Sequence, residues 1–435
     1  MTDVQVGLVG IGLLLALISL RVPIGVSMIT VSFSGIWYIM GWSVAWGSLG
    51  VIPYQFSTNW VLSSVPMFLL LGFVCYHARL TEGLFRAARM WLSAVPGGLA
   101  ISGILGCAGF ASVCGSSVAC AAAMGRIAVP EMMKQRYSAE LATGTIAAGG
   151  TIGALIPPSI IMILYGIIAQ TSITELFLGG VTIGLLTMVS YIVVIVVRVK
   201  LNPELAPASD EAVTMREKLS ALKDVWPILL VMLGIFGGLF SGLFTPTEAG
   251  AVGALLSCIV AMIAGTLNWE RFKNAILETL LTTTALLIIG IGASLLQRFL
   301  ALSGAGTFIS ELIIGQNADI VWILMGIVLI YLLLGMFLEP IGAMLLTLPI
   351  VLPIINSADL SLVWFGVVLT KLLEIGMVTP PVGMNVFVIK GVVGNLISTT
   401  GIFKGIMWFL FADLIVLALM MIFPDIVLFL PAMAK

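Results

Sequence analysis
The chain repeats itself at an offset of 223 residues, and the positions that match are helix breakers set inside apolar stretches. Pro23 falls on Pro246, Pro130 on Pro353, and Pro157-Pro158 on Pro380-Pro381. Eighteen prolines scattered over 435 residues would give about 0.4 coincidences at one chosen offset. Four therefore report an internal duplication. The glycines agree: Gly153-x-x-Ile156-Pro157-Pro158 faces Gly376-x-x-Thr379-Pro380-Pro381. Proline removes a backbone donor and clashes with the preceding turn, so each copy should contain a helix that breaks part way along.

The breaks lie in a membrane. Apolar residues make up 60% of the chain and charged residues 9%, against about 45–50% and 25% in soluble proteins. Runs at 4–20, 176–197, 226–244 and 402–430 approach or exceed the roughly 20 residues that a spanning helix needs. The expected class is an all-α polytopic membrane protein. Met1-Thr2-Asp3 lacks a positive leader, and the first apolar run ends at Arg21 without a small-residue cleavage site, so an uncleaved first helix is expected. A net charge of −1 supplies no bulk field for nucleic acid. Cys75, Cys107, Cys114, Cys120 and Cys258 lie in apolar segments without CxxC spacing, and His77 is the single histidine. That pattern argues against disulfides and transition metals. With no nucleotide loop, no HExxH and no serine, histidine and acid set, it also argues against an enzyme.

Basic residues cluster at Arg21; at Arg79, Arg86 and Arg89; at Arg126, Lys134 and Arg136; from 198 to 223; at Arg271 and Lys273; and at Lys390 and Lys404. The positive-inside rule makes these cytoplasmic. The loops at 46–59, 169–175, 245–248, 299–319 and 356–360 hold almost no basic residue, apart from Arg298 at one edge, and should face the other side. The segment 96–123 has basic clusters on both flanks and must enter and leave by one face, as a re-entrant hairpin. Its counterpart, 320–355, lies between Asp319 and Asp359 and should dip in from the outside. The rest gives about ten spanning helices, near 4–20, 24–46, 60–78, 138–168, 174–197, 225–244, 249–267, 277–298, 361–390 and 402–430, starting and ending outside. Five crossings per copy turn the second copy upside down, an inverted repeat. The expected division is a first repeat at 1–199, with scaffold helices, an arm, hairpin 96–127 and broken helix 138–168. A cytoplasmic linker at 200–223 follows, then a second repeat at 224–435 with hairpin 320–355 and broken helix 361–390.

Corresponding interrupted helices point to the binding site of a transporter. At the first hairpin tip, Gly115, Ser116 and Ser117 offer freed backbone groups and hydroxyls to a cation; the same small residues would also allow close helix packing. The run holding Gly149, Thr151 and Gly153, closed by Pro157, Pro158 and Ser159, should expose carbonyls to a cation and a half-helix amino end to an anion, or form a plain kink. The second copy offers Glu339 and Gly342 at its tip, and Glu374, Gly376, Thr379, Pro381 and Asn385 around its break. Lys371 precedes Glu374 by one helical turn and could pair with it; Glu339 has no such neighbour and is the better site or gate residue. Sodium is expected on Gly115, Ser116, Ser117, Gly149, Thr151, Gly153, Glu339, Gly342, Gly376 and Thr379, where each tip meets the broken helix of its own copy. A small organic anion is expected between the tips, on Ser117, Pro158, Ser159, Pro381 and Asn385. His77 reads as a solvated or snorkelling interfacial residue. The stretch carrying Arg79, Glu82, Arg86 and Arg89 among Leu80, Leu84, Phe85 and Trp91 reads as an interfacial arm with a mechanical role. Trp37, Trp42, Trp46, Trp60 and Trp91 fit an aromatic belt against membrane lipids.

These stretches resemble the large membrane subunit of the tripartite ATP-independent periplasmic (TRAP) transporters. The resemblance runs the length of the chain, through Arg21-Val22-Pro23-Ile24-Gly25, Gly115 to Ala119, Gly153 to Ser159, Phe244-Thr245-Pro246-Thr247-Glu248-Ala249, Leu338-Glu339-Pro340 and Glu374 to Gly383. It implies an elevator-type fold in which both hairpins and both broken helices move against a scaffold. It also implies sodium-driven import of small organic acids, carboxylates or sulfonates, across a bacterial or archaeal inner membrane, with sodium as coupling ion and no organic cofactor. The implied partners are a soluble periplasmic binding protein and a separate four-helix membrane subunit. Lys371 and Lys390 depart from the neutral residues expected there. The competing reading is a stand-alone sodium/dicarboxylate symporter of the divalent anion family, which shares the inverted hairpin plan. A channel fits two closed tips less well.

Overall fold
A computed structural model describes residues 1–207, 213–306, 308–309 and 320–433, and among them every regular element is helical. The first copy runs α1 (Asp3–Ser19), α2 (Ile24–Met40), α3 (Trp42–Ser57), α4 (Ser64–His77), α5 (Glu82–Trp91), α6 (Gly98–Cys114), α7 (Ser117–Lys134), α8 (Ala139–Gly150), α9 (Ile160–Ala169) and α10 (Ile173–Leu201). After a short α11 (Met215–Leu222), the second copy runs α12 (Trp226–Phe240), α13 (Pro246–Ile263), α14 (Trp269–Ser303), α15 (Ile320–Gly335), α16 (Pro340–Ser357), α17 (Leu362–Gly376), α18 (Met384–Val393), α19 (Thr399–Ile422) and α20 (Pro424–Met433). Asp319 and the linker residues 208–212 lie outside the described residues.

The 223-residue offset carries one copy onto the other element by element. Shifted by it, α7 lands on α16 residue for residue, and α2 lands on α13 within one residue. Packing repeats as well. The α2–α14 contact answers the α13–α4 contact, α8–α19 answers α17–α10, and α7–α18 answers α16–α9. These mates cross from one copy to the other, so neither copy buries its apolar faces alone. Among the described residues, seven continuous helical stretches are long and apolar enough to cross a membrane, including Trp60–His77, a 3-10 turn running into α4, Met215–Phe240, where α11 runs on into α12, and the returning arm of the second hairpin; α1, α2 and the half-helices are shorter. This is the expected polytopic inverted-repeat architecture.

Three boundaries differ from the sequence reading. The span expected at 24–46 ends at Met40, because Gly41 takes φ +90° and starts a separate helix, α3, where a loop was expected. Phe33, Trp37, Trp42 and Trp46 pack edge to face around that corner. The span expected at 277–298 belongs to a 35-residue helix, α14, that fuses the counterparts of α3 and α4. The last run divides at Phe423 into α19 and α20, because Pro424 cannot continue a helix.

The arm α5 is held at both ends. Arg86 pairs with Asp224 at 3.1 Å, the Trp91 indole donates to the Lys218 carbonyl at 3.1 Å, and Arg89 pairs with Glu131 on α7. It therefore joins the linker to the first hairpin.

Candidate functional site
Both breaks form where the sequence places them. In the first copy α8 tightens into a 3-10 turn at Thr151–Ala154, then runs non-helical through Pro157-Pro158 until Ser159 caps α9, accepting from the Met162 amide at 3.3 Å. In the second, α17 ends at Gly376 and α18 restarts after Gly383. The hairpin tips meet these breaks. A Cβ on Gly115, which already has φ +65°, would stand 2.3 Å from the Pro158 carbonyl oxygen, and one on Gly153 would stand 2.9 Å from the Ser116 carbonyl oxygen. Only glycine lets the two backbones approach this closely. In the second copy Gly376 lies against the backbone of Gly335, at the end of the first arm of its hairpin.

The two tips then share one cavity of about 430 Å³, walled by α4, α9 and α14. Gly115, Ser116 and Ser117 line it from one tip and Glu339 from the other, with Glu374 and Met377 between them. Ser117 and Glu374 are buried, and the Ser117 hydroxyl donates to Glu374 Oε1 at 2.6 Å. Glu374 Oε2 is buried and has no hydrogen-bond partner among the described residues. Glu339 caps α16, accepting from the Gly342 amide at 2.9 Å. Among the described residues the lining holds three glutamates, Glu278, Glu339 and Glu374, and no lysine, arginine or histidine. The cavity therefore presents carboxyl and hydroxyl oxygens, donors suited to hard cations.

The other expected ligands do not line this cavity. The Thr151 hydroxyl is bonded to the Ala148 carbonyl at 2.7 Å and lies 3.0 Å from the Tyr191 hydroxyl. The Thr379 hydroxyl donates to the Ile375 carbonyl at 2.6 Å. Gly149 packs against Cys107 of the first hairpin. Pro158, Ser159, Pro381 and Asn385 do not line the cavity. Asn385 is buried, donates to the Ala147 carbonyl at 3.3 Å, and leaves its Oδ1 without a hydrogen-bond partner among the described residues.

One pairing differs from the sequence reading. Lys371 does not pair with Glu374: its Nζ reaches Asp413 Oδ1 on α19 at 2.5 Å and Thr187 on α10 at 3.1 Å. The helix turns Lys371 toward α10 and α19, whereas Glu374 turns toward the tips. His77 is half-buried at the end of α4. Its side chain is 16% exposed, with Nε2 3.3 Å from Glu278 Oε1. Asp413, Tyr191 and Thr187 escaped the sequence reading; the available signal was a lone carboxylate within the apolar run 402–430.

The sequence pattern described as "Tripartite ATP-independent periplasmic transporter, DctM component" matches residues 11–426. A putative TRAP transporter large permease protein of Haemophilus influenzae is 34% identical over 86% of this chain and 92% of its own length. The C4-dicarboxylate TRAP transporter large permease DctM of Pseudomonas aeruginosa is 33% identical over 89% and 88%. Among solved structures, the Alcanivorax borkumensis YdaH transporter superposes with a TM-score of 0.60, covering 88% of this chain and 90% of that one at 14% identity, which speaks to the fold alone. The duplicated broken helices, the paired tips and a family match over nearly the whole length agree: this chain belongs to the DctM family, the large permease components of TRAP transporters.

Proposed function
We propose that this permease imports a small organic acid through the inner membrane by sodium-coupled alternating access, with the substrate held in the cavity between the two hairpin tips. The carrying observation is the set of side chains that line that cavity. Three carboxylates line it with no basic side chain among the described residues. An organic anion entering such a space is repelled unless cations enter with it, since like charges in a low-dielectric interior interact strongly. Sodium bound by tip carbonyls, the Ser116 hydroxyl and the free Oε2 of Glu374 would supply that balance, which makes ion and substrate obligatory companions. The hairpins and broken helices would move as one body against α2, α4, α13 and α14.

The family description names a tripartite system of which this is one component, so a periplasmic binding protein and a small membrane subunit are the proposed partners. The dicarboxylate relative supports an organic acid as cargo. The stand-alone divalent anion symporter is not favoured by a family match to residues 11–426. The test is uptake by proteoliposomes holding this chain and its small subunit, supplied with loaded binding protein. Uptake requires all three components; transport without any binding protein would restore the stand-alone reading.

A further inference from the structure
Lys371 and Asp413 are fully buried and neither lines the cavity. The ammonium lies 2.5 Å from Asp413 Oδ1 and 3.1 Å from Thr187 Oγ1. Asp413 also accepts from the Tyr191 hydroxyl, at 2.8 and 2.7 Å to its two oxygens. Tyr191 in turn meets Thr151, in the turn of the first broken helix, at 3.0 Å. One carboxylate and a group of hydroxyls are hard oxygen donors, the set an alkali cation takes, and the nitrogen sits beside them.

The repeat shows that this pair belongs to one copy only. One offset earlier, the positions of Lys371 and Asp413 hold Ala148 and Ser190. Both charges are present in one copy and both are absent from the other, so the fold common to the copies does not need them. A buried carboxylate does need a counter-charge.

We propose that the oxygens around Asp413 form a monovalent-cation site whose ion is replaced by the chain's own Lys371 ammonium. A tethered charge cannot exchange with solvent, so Asp413 stays neutralised through the transport cycle and adds nothing to the number of coupling ions. Removing the ammonium turns the position into a sodium site. The proposal stands whether or not sodium drives transport.

The test is thermal unfolding of the purified full-length protein, as wild type, Lys371→Ala and Lys371→Ala/Asp413→Asn, in choline, sodium and lithium chloride at equal ionic strength. Sodium should raise the melting temperature of Lys371→Ala by roughly 3 °C more than that of wild type, and the double variant should respond as wild type does. Lys371→Met, which keeps most of the side-chain volume, should behave as Lys371→Ala and bind one more radioactive sodium ion per chain than wild type. A sodium response in the single variants no larger than in wild type, or one that survives in the double variant, would overturn the proposal. So would failure of both single variants to fold in sodium as in choline.

Discussion

The Ser117 hydroxyl donates to Glu374 Oε1 across 2.6 Å, joining residues 257 positions apart. The bond ties the tip of the first hairpin to the broken helix of the second copy. Each tip meets the break of its own copy through backbone, but this link crosses between copies, at the wall of the shared cavity. It places the free Oε2 of Glu374 beside the hydroxyls of the first tip.

Glu374→Gln separates charge from hydrogen bonding. The amide oxygen can still accept from Ser117, so the fold should persist. The apparent sodium affinity of uptake should fall at least about tenfold, the weakening that about 1.4 kcal/mol of lost charge interaction produces. A sodium titration of uptake checks this. Ser117→Ala leaves Oε1 unpaired as well and should lower stability by about 1–3 kcal/mol.

Ser116→Ala removes both a hydroxyl that lines the cavity and the cap of α7, where the Ser116 side chain accepts from the Ala119 amide at 3.5 Å. The cap accounts for about 0.5–2 kcal/mol at most. Sodium dependence should weaken before folding is harmed, which parallel melting and uptake curves will show. An unchanged sodium affinity would remove Ser116 from the site.

Gly153→Ala tests the contact between tip and break. Its Cβ would stand 2.9 Å from the Ser116 carbonyl oxygen and 3.1 Å from the Cys120 Cβ, so backbone must shift. The expected loss is about 1–3 kcal/mol of stability, with uptake reduced more than expression. Gly237→Ala, where among the described residues no atom beyond the local backbone lies within 4 Å of the added carbon, is the matched control.

The buried pair gives a contrast in sign. Asp413→Asn strands the Lys371 ammonium among apolar helices and should destabilise the protein by about 3–5 kcal/mol, whereas Lys371→Met/Asp413→Leu should be near neutral or stabilising. Melting in sodium-free medium checks both. By comparison, Arg86→Ala at the exposed pair with Asp224 should change stability by less than about 1 kcal/mol.

Much of the fold was legible in sequence because proline and glycine act locally. The paired prolines at 157–158 and 380–381 lie in the breaks, whereas the single prolines Pro130 and Pro353 are carried inside α7 and α16, which coincide under an offset read from prolines alone. What sequence could not give was tertiary choice. Lys371 has a carboxylate three residues ahead on its own helix, yet pairs with Asp413, 42 residues on, because α17 packs its Lys371 face against α10 and α19. Gly41 reads as one more small residue in an apolar run, and only its positive φ makes it a corner. The Thr151 hydroxyl bonds to the Ala148 carbonyl and lies beside the Tyr191 hydroxyl, a partner that no local pattern announces.

Sodium-dependent uptake is the most direct measurement of the central claim. Proteoliposomes carrying this permease and its small subunit, with loaded binding protein outside, are given an inward sodium gradient or the same gradient of potassium. The account predicts accumulation in sodium and none above background in potassium. Equal uptake in the two salts would contradict it.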